Sequence, residues 1–279
     1  MTSPKVWFIT GSSSGFGRAM TETVLRRGGI AVATLRKPTA LSDLAAEYPP
    51  DRLLLVQLDV TKPDQVTAAF AQAKRAFGRI DVVFNNAGAA LFAETEGTPE
   101  EAARALFEVN FWGAANVSRE AVRFFRDENK PAGGIILQNT SMACFGNIPL
   151  IGYYTATKLA LEGLSTSIAA EIEPSWNIKI TLIEPGAFQS NVADVAVRSE
   201  PHPAYASPTS RVSLFRPNLT EKALTGDTEK ATEVIYKVAG LSEPPLHFPL
   251  GRDSVAHAKQ LLTTFQTAVE QYGPWSDEL

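Results

Sequence analysis

From residue 6 to residue 183, short apolar runs alternate with longer segments of helical pattern, and no other feature of the chain restricts its fold so tightly. The apolar runs are Val6-Trp7-Phe8-Ile9, Ile30 to Leu35, Leu53 to Leu58, Ile80 to Phe84, Gly134 to Thr140 and Asn177 to Ile183. Each is nearly continuous in apolar character, the pattern of a strand buried on both faces. Between them lie Arg18 to Arg27, closed by Gly28-Gly29; Thr39 to Tyr48, stopped by Pro49-Pro50; and Pro63 to Phe77, with proline in its first turn. A mostly helical stretch from Pro99 to Asn129 and a long helix from Tyr153 to Ile172 complete the series. Strict alternation of this kind predicts an α/β fold: a doubly wound parallel sheet with right-handed crossovers, flanked by helices.

Three further elements follow: a helix from Glu229 to Leu241, a last strand from Leu246 to Leu250 and a terminal helix from Asp253 to Tyr272. No linker, composition shift or internal repeat divides residues 1–279, so a single domain is expected. The stretch from Ala187 to Thr228 breaks the periodicity. Pro201, Pro203, Pro208 and Pro217 are interspersed there with Val192, Val195, Tyr205, Leu214 and Phe215. So long an irregular insertion in a compact domain is usually functional, and its apolar content predicts a packed lid over about residues 187–228.

The residue types that carry chemistry fall at the ends of the strand runs. Thr10-Gly11-Ser12-Ser13-Ser14-Gly15-Phe16-Gly17 turns from strand to helix, which aims backbone N–H groups and the positive helix end at an anion such as phosphate. The same residues match the Gly-x-Ser-x-Gly nucleophile elbow of hydrolases, with Ser13 as nucleophile. That reading needs an oxyanion loop from an earlier strand, and too little chain precedes the turn. Ser141 lies just past the fifth strand, at the carboxyl edge where open α/β sheets bind ligands. Tyr154 and Lys158 are four apart on a helix and share a face, whereas Tyr153 points elsewhere. A nearby ammonium favours a phenolate, so Lys158 is expected to draw the Tyr154 pKa down and fit it for proton exchange with a carbonyl or alcohol oxygen. Asn110, followed closely by Gly113, is a poor choice for a helix interior, so something must offset its cost.

Composition narrows the alternatives. A formal charge of −4, from 26 basic and 30 acidic residues without a basic run, argues against a nucleic-acid surface. No apolar run approaches the ~20 residues that span a bilayer. The N-terminal residues pass directly into a strand pattern, leaving no room for a signal peptide, and the expected compartment is the cytoplasm. The lone Cys144 excludes an internal disulfide and reads as an inert thiol. His202, His247 and His257 show no metal-ligand spacing and need no catalytic role.

The ordered set of the glycine turn, Asp59-Val60, Asn85-Asn86-Ala87-Gly88, Asn110, Ser141, Tyr154/Lys158 and Pro185-Gly186 resembles the short-chain dehydrogenase/reductase family over most of the chain. The resemblance implies a Rossmann-type domain and a catalytic tetrad of Asn110, Ser141, Tyr154 and Lys158 beside a nicotinamide dinucleotide. Tyr154 would be the general acid in reduction and general base in oxidation. Ser141 would hold the reacting oxygen, Lys158 would bind the nicotinamide ribose, and Asn110 would hold a water joining Lys158 to solvent. Gly11, Ser12, Ser13, Ser14, Gly15, Phe16 and Gly17 would cradle the phosphates. Asp59, Val60, Asn86, Ala87 and Gly88 would line the adenosine side, and Pro185, Gly186, Phe188 and Ser190 the nicotinamide side. Ser190 replaces a frequent threonine, and Phe16 a frequent isoleucine or leucine.

Where an NAD site carries an acid after the second strand, this chain has Arg36-Lys37, so NADP(H) is the preferred cofactor and NAD(H) the second choice. Leu91, Phe92, Met142, Phe145, Ile148, Leu150 and Phe188 flank the tetrad and would form a wall for a lipophilic carbonyl or alcohol substrate. The expected activity is interconversion of a ketone and a secondary alcohol; the alternative is a non-catalytic member that binds or senses the dinucleotide, for which Tyr154 would be superfluous. Many relatives form homodimers or homotetramers.

Overall fold

Seven strands make one wholly parallel sheet in a computed structural model that describes residues 4–192, 196–220, 223–277 and 279. They are β1 (Val6–Thr10), β2 (Ile30–Leu35), β3 (Leu53–Gln57), β4 (Val82–Asn85), β6 (Gly134–Asn139), β7 (Ile178–Pro185) and β9 (His247–Leu250). Their spatial order is β3-β2-β1-β4-β6-β7-β9, so the winding reverses between β1 and β4. Such a reversal opens a crevice at the carboxyl edge, the usual ligand site of this architecture.

Side chains alternate across the sheet and fill two cores. In β1, Trp7 and Ile9 join one cluster and Val6 and Phe8 the other, so every residue of the strand is buried. The first core packs α1 (Gly15–Arg26) and α8 (Thr228–Val238) on the sheet, with the Trp7 and Tyr236 rings stacked at 5.3 Å. The second packs α3 (Pro63–Phe77) and α5 (Ala114–Arg123), and its Phe8 and Phe70 centroids are 4.2 Å apart. On this side α6 (Gly152–Glu171) also covers the sheet, with Leu161 and Ser165 buried.

The sequence boundaries need few changes, and each change has a cause. Helix α1 begins at Gly15 rather than Arg18, because the glycine turn itself supplies the first helical turn. The expected 39–48 helix splits into a 3₁₀ turn (Pro38–Leu41) and α2 (Ser42–Glu47). The long helical stretch after Pro99 is α4 (Glu100–Phe107) and α5 separated by a π-helical segment, Glu108–Gly113. That segment holds both Asn110 and Gly113. The extra residue per turn relaxes the interior position that made them costly, and a Cβ on Gly113 would stand 2.6 Å from Val60 Cγ2.

Within the 187–228 insertion the described residues form short pieces: β8 (Val197–Arg198), a 3₁₀ turn at Pro203–Tyr205 and α7 (Arg211–Phe215). Val195 lies outside the described residues. Strand β8 pairs in parallel with β5 (Leu91–Phe92), a two-residue strand that periodicity could not mark. The buried Glu94 carboxylate pairs with the Arg216 guanidinium, and the Arg198 guanidinium lies 5.0 Å from the Phe92 ring centroid. The insertion is thus fastened to the loop after β4. The terminal helix α9 (Arg252–Tyr272) buries only Ser254.

The glycine turn fixes how closely α1 approaches the sheet. A Cβ on Gly17 would sit 2.2 Å from the Gly11 carbonyl oxygen, a backbone atom with no freedom to retreat. Gly17→Ala is therefore expected to lower unfolding free energy by about 1–3 kcal/mol, the usual cost of overpacking. Urea unfolding checks this, and wild-type stability in the variant would contradict the close approach.

Candidate active site

Polar side chains knit the carboxyl edge of the sheet together. Gly11 has φ +69°, and a Cβ there would meet Ala87 Cα at 2.9 Å, so the turn after β1 rests directly on the loop after β4. The Thr10 hydroxyl accepts hydrogen bonds from the Asn86 and Ala87 amides, both at 2.9 Å. Asn86 Nδ2 donates to the Thr10 carbonyl at 2.9 Å, and Asn86 Oδ1 accepts from Asn139 Nδ2 at 2.8 Å. Asn139 carries the chain onward, because its carbonyl accepts from Lys158 Nζ at 2.8 Å.

Helix α6 brings Tyr154 and Lys158 to one face, with Lys158 Nζ 5.8 Å from the Tyr154 ring centroid. Ser141 stands beside the Tyr154 hydroxyl and favours its ionised form. Ser141 caps the 3₁₀ turn Met142–Phe145, its Oγ accepting from the Ala143 amide at 3.1 Å. Asn110 stands behind this group, 1% exposed. Its Oδ1 accepts from the Ala89 amide at 2.8 Å, and its Nδ2 donates to the Ala89 carbonyl at 3.0 Å and to Thr157 Oγ1 at 3.1 Å. Ser141, Tyr154 and Lys158 of the expected tetrad thus line one end of one crevice, with Asn110 buried behind them, while Tyr153 does not line it.

The electrostatics differ from the expectation for Tyr154. Burial pushes its phenol up to about 12, and the neighbouring Ser141 only partly opposes this. Tyr154 as a residue is partly exposed to the crevice, so the effect belongs to its sunken hydroxyl. Lys158 is not among the causes of the Tyr154 shift, and burial weakens the lysine's own hold on its proton, bringing it to about 8. Burial also raises the Cys144 thiol, reinforced by Glu162, which leaves it unreactive as expected. Asp59 goes the other way: burial pushes its carboxyl up, but hydrogen bonds from Thr61, with Lys62 and Arg36 nearby, bring it below its ordinary value.

The crevice is a cavity of about 670 Å³ that runs from Leu35 and Arg36 past the glycine turn to Ser141, Tyr154 and Lys158. Among the expected cofactor residues, Gly11, Ser13, Ser14, Gly15, Phe16, Asp59, Val60, Asn86, Ala87, Gly88, Pro185, Gly186, Phe188 and Ser190 line it. Three expected cofactor residues do not. Ser12 is fully buried and its hydroxyl donates to the Ile9 carbonyl at 3.0 Å, turned away from the cavity. Gly17 is buried under the turn, and Lys37 projects outside. Of the seven predicted wall residues only Phe188 lines the cavity; Leu91 and Leu150 are core.

Sequence reasoning missed Thr61, Val109, Asn139 and Thr140 in the lining, and Asn191, Val192 and Leu224 from the two ends of the insertion. Asn139 and Thr140 could have been found as polar residues ending an apolar strand; Leu224 carried no such signal. The cradle fits a dinucleotide: Gly11 and Gly15 admit close backbone approach, and the first turn of α1 opens on the cavity at Ser14 and Gly15.

Comparison with known proteins agrees with this geometry. Residues 5–200 match the family described as short chain dehydrogenase. An uncharacterized oxidoreductase of Schizosaccharomyces pombe is 39% identical over 250 residues, which cover 88% of this chain and 82% of that one. Oxidoreductase calM of Penicillium decumbens is 36% identical over 264 residues, covering 91% and 86%. The crystal structure of a short-chain dehydrogenase from Streptomyces avermitilis superposes with a TM-score of 0.88 at 34% identity, covering 98% and 97%. The fold and crevice define an NAD(P)-dependent oxidoreductase. The chain belongs to the short-chain dehydrogenase/reductase family.

Asn110 supplies a stability test independent of turnover. Asn110→Ala removes three hydrogen bonds from a buried position and leaves both backbone groups of Ala89 without that side chain. A loss of about 1–3 kcal/mol is expected in chemical denaturation. An unchanged midpoint would mean that the π segment is held without it.

Proposed function

We propose that the protein is an NADP(H)-dependent enzyme interconverting a lipophilic ketone and a secondary alcohol, with Tyr154 as proton donor and acceptor. The observation that carries this reading is that Ser141, Tyr154 and Lys158 line one end of a cavity that continues to Arg36. A bound nicotinamide dinucleotide supplies or takes the hydride. The protein supplies orientation and the proton.

Ser141 and Tyr154 hold the reacting oxygen between two hydroxyls. In reduction Tyr154 gives its proton to that oxygen, and in oxidation it takes one. A phenol raised to about 12 is protonated throughout the neutral range, the form that reduction consumes. Lys158 is fixed by the Asn139 carbonyl with donors left for a ribose, and Asn110 orders the loop at Ala89 beneath it. Gly11, Gly15 and the amides of the first turn of α1 receive the phosphates, with Ser13 and Ser14 hydroxyls beside them.

Phe188, Val192 and Leu224 give the cavity an apolar wall, which supports a lipophilic substrate. Because both ends of the 187–228 insertion contribute to that wall, the insertion reads as the substrate lid. The unreactive Cys144 is compatible with a cytoplasmic enzyme, and no helix among the described residues is long and apolar enough to cross a membrane.

Tyr154→Phe is expected to nearly abolish turnover while keeping NADPH affinity, because only the transferable proton is lost. Tyr153→Phe should remain active. Steady-state kinetics with NADPH and a panel of apolar ketones provides the comparison, and equal losses in the two variants would refute the assignment.

The cofactor preference rests on Arg36, which lines the cavity where β2 ends, with no carboxylate at Leu35 or Lys37. A planar guanidinium suits the 2′-phosphate, and such charge-assisted bonds amount to about ten- to a hundredfold in affinity. Leu35→Asp with Arg36→Ala should therefore move kcat/KM from NADPH toward NADH by about that factor. A wild type that prefers NADH would overturn the argument.

A further inference from the structure

Two carboxyl groups lie buried directly behind the proposed catalytic residues, and the mechanism above uses neither. Glu162 follows Lys158 by one turn of α6 and Tyr154 by two, so all three share a face. It is 8% exposed and faces Cys144 and Thr140, both in the segment that carries Ser141, though the Thr140 hydroxyl itself donates to the Ile183 carbonyl at 3.0 Å. Glu184 is fully buried on β7, immediately before the cavity-lining Pro185 and Gly186. Its Oε1 lies 2.6 Å from His247 Nδ1, on the neighbouring strand β9, and the His247 side chain is 51% exposed. Among the described residues, no hydrogen-bond partner reaches Glu162 Oε1 or Glu184 Oε2. A buried carboxylate oxygen without a donor is costly when ionised.

The other titratable groups around this pair are few. Helix α6 presents Lys158 and Tyr154, the turn after β6 presents Cys144, and β9 presents His247. Helix α9 presents Asp253, whose Oδ2 accepts from the Ala187 amide, and His257, whose Nδ1 lies 2.9 Å from the Asp253 carbonyl. Lys158 is thus the buried cation on the same helix face as Glu162, and His247 is the group of this set that pairs with Glu184 and reaches solvent.

We propose that Glu162 and Glu184 are positioning residues that act as one coupled carboxyl pair, setting the charge on Lys158 and exchanging protons with solvent through His247. Glu184 shares its strand face with Ile178 and Ile180, which pack in the core on the side that α6 covers. Both carboxyls therefore enter one low-dielectric layer, where two carboxylates do not both ionise readily and titrate as a unit. Burial raises both, and Glu162 makes Glu184 harder to ionise; for Glu184 the result is about 7, with His247 opposing the rise. Ionised Glu162 in turn helps Lys158 keep its proton against burial. As pH rises through neutrality the pair gains negative charge, and Lys158 is held as the ammonium that the proposed mechanism requires. The assignment of a catalytic consequence rests on that mechanism; the coupling of the carboxyls does not.

The test has one arm for each part. In protein labelled with 13C at glutamate side-chain carboxyls, NMR titration assigned with Glu162→Gln and Glu184→Gln should show the two signals moving together, one of them near neutral pH. Glu162→Gln should lower the Glu184 midpoint by about one pH unit, and His247→Gln should raise it. Independent titration of both groups near the ordinary glutamate value, about 4.3, would overturn the pair. In the kinetic arm, Glu162→Gln should move the alkaline limb of the kcat profile about one unit to lower pH, because Lys158 loses its anionic neighbour. A uniform fall in kcat at every pH would mark Glu162 as structural only and overturn the link to Lys158. Gln keeps shape and hydrogen-bonding capacity, and the NMR arm needs no turnover, so it stays readable even if Tyr154→Phe were to retain activity.

Discussion

The hydroxyl of Thr10 joins two halves of the carboxyl edge that the chain lays down far apart. By accepting from the Asn86 and Ala87 amides it fastens the end of β1 to the loop after β4, across the crevice where the winding reverses. From Asn86 the connection passes to Asn139 and from the Asn139 carbonyl to Lys158. One run of hydrogen bonds therefore fixes the distance between the phosphate cradle and the proton-transfer group. Parallel strands alone would not do this, since their ladder ends where the loops begin. Side-chain amides and a hydroxyl continue it into the loops, where a dinucleotide must span both halves at once.

Burial is the second determinant of the site. The same sheet and helices that exclude water from Tyr154 and Lys158 push their proton affinities in opposite directions, the phenol up and the ammonium down. Each tends toward its neutral form. The proposed mechanism thus calls for a group that keeps charge on Lys158, and the buried Glu162, one turn further along the same helix face, is placed for that. This view makes the rear of the site as informative as its mouth.

Much of this was legible in the sequence because it depends on local rules. The runs at Ile30 to Leu35 and Pro63 to Phe77 have the boundaries that their composition implies, and Tyr154 and Lys158 share a face by helical period alone. What escaped depends on tertiary placement. Ser12 sits in the phosphate turn by position, yet its hydroxyl is spent on Ile9; Leu91 and Leu150 are apolar near the tetrad, yet pack in the core. The β5–β8 pair is too short for periodicity and forms only because the insertion returns to the loop after β4. His247 looked like an idle surface histidine, and its pairing with Glu184 appears only once β9 is laid beside β7.

The π-helical segment that carries Asn110 has a consequence for how the site can change over generations. A π turn holds one residue more than an α turn, so Glu108–Gly113 is in effect an inserted residue retained in an otherwise regular helix. Point substitutions alter its side chains but leave the count intact. Loss of a single codon there would restore an ordinary helical ladder, with α4 and α5 still in phase but the wide turn between them gone. Asn110 would then leave Ala89, and Gly113 would leave the gap beside Val60. Drift by substitution and drift by deletion thus act on different properties of this helix: the first tunes the chemistry, and the second discards the frame that aims it.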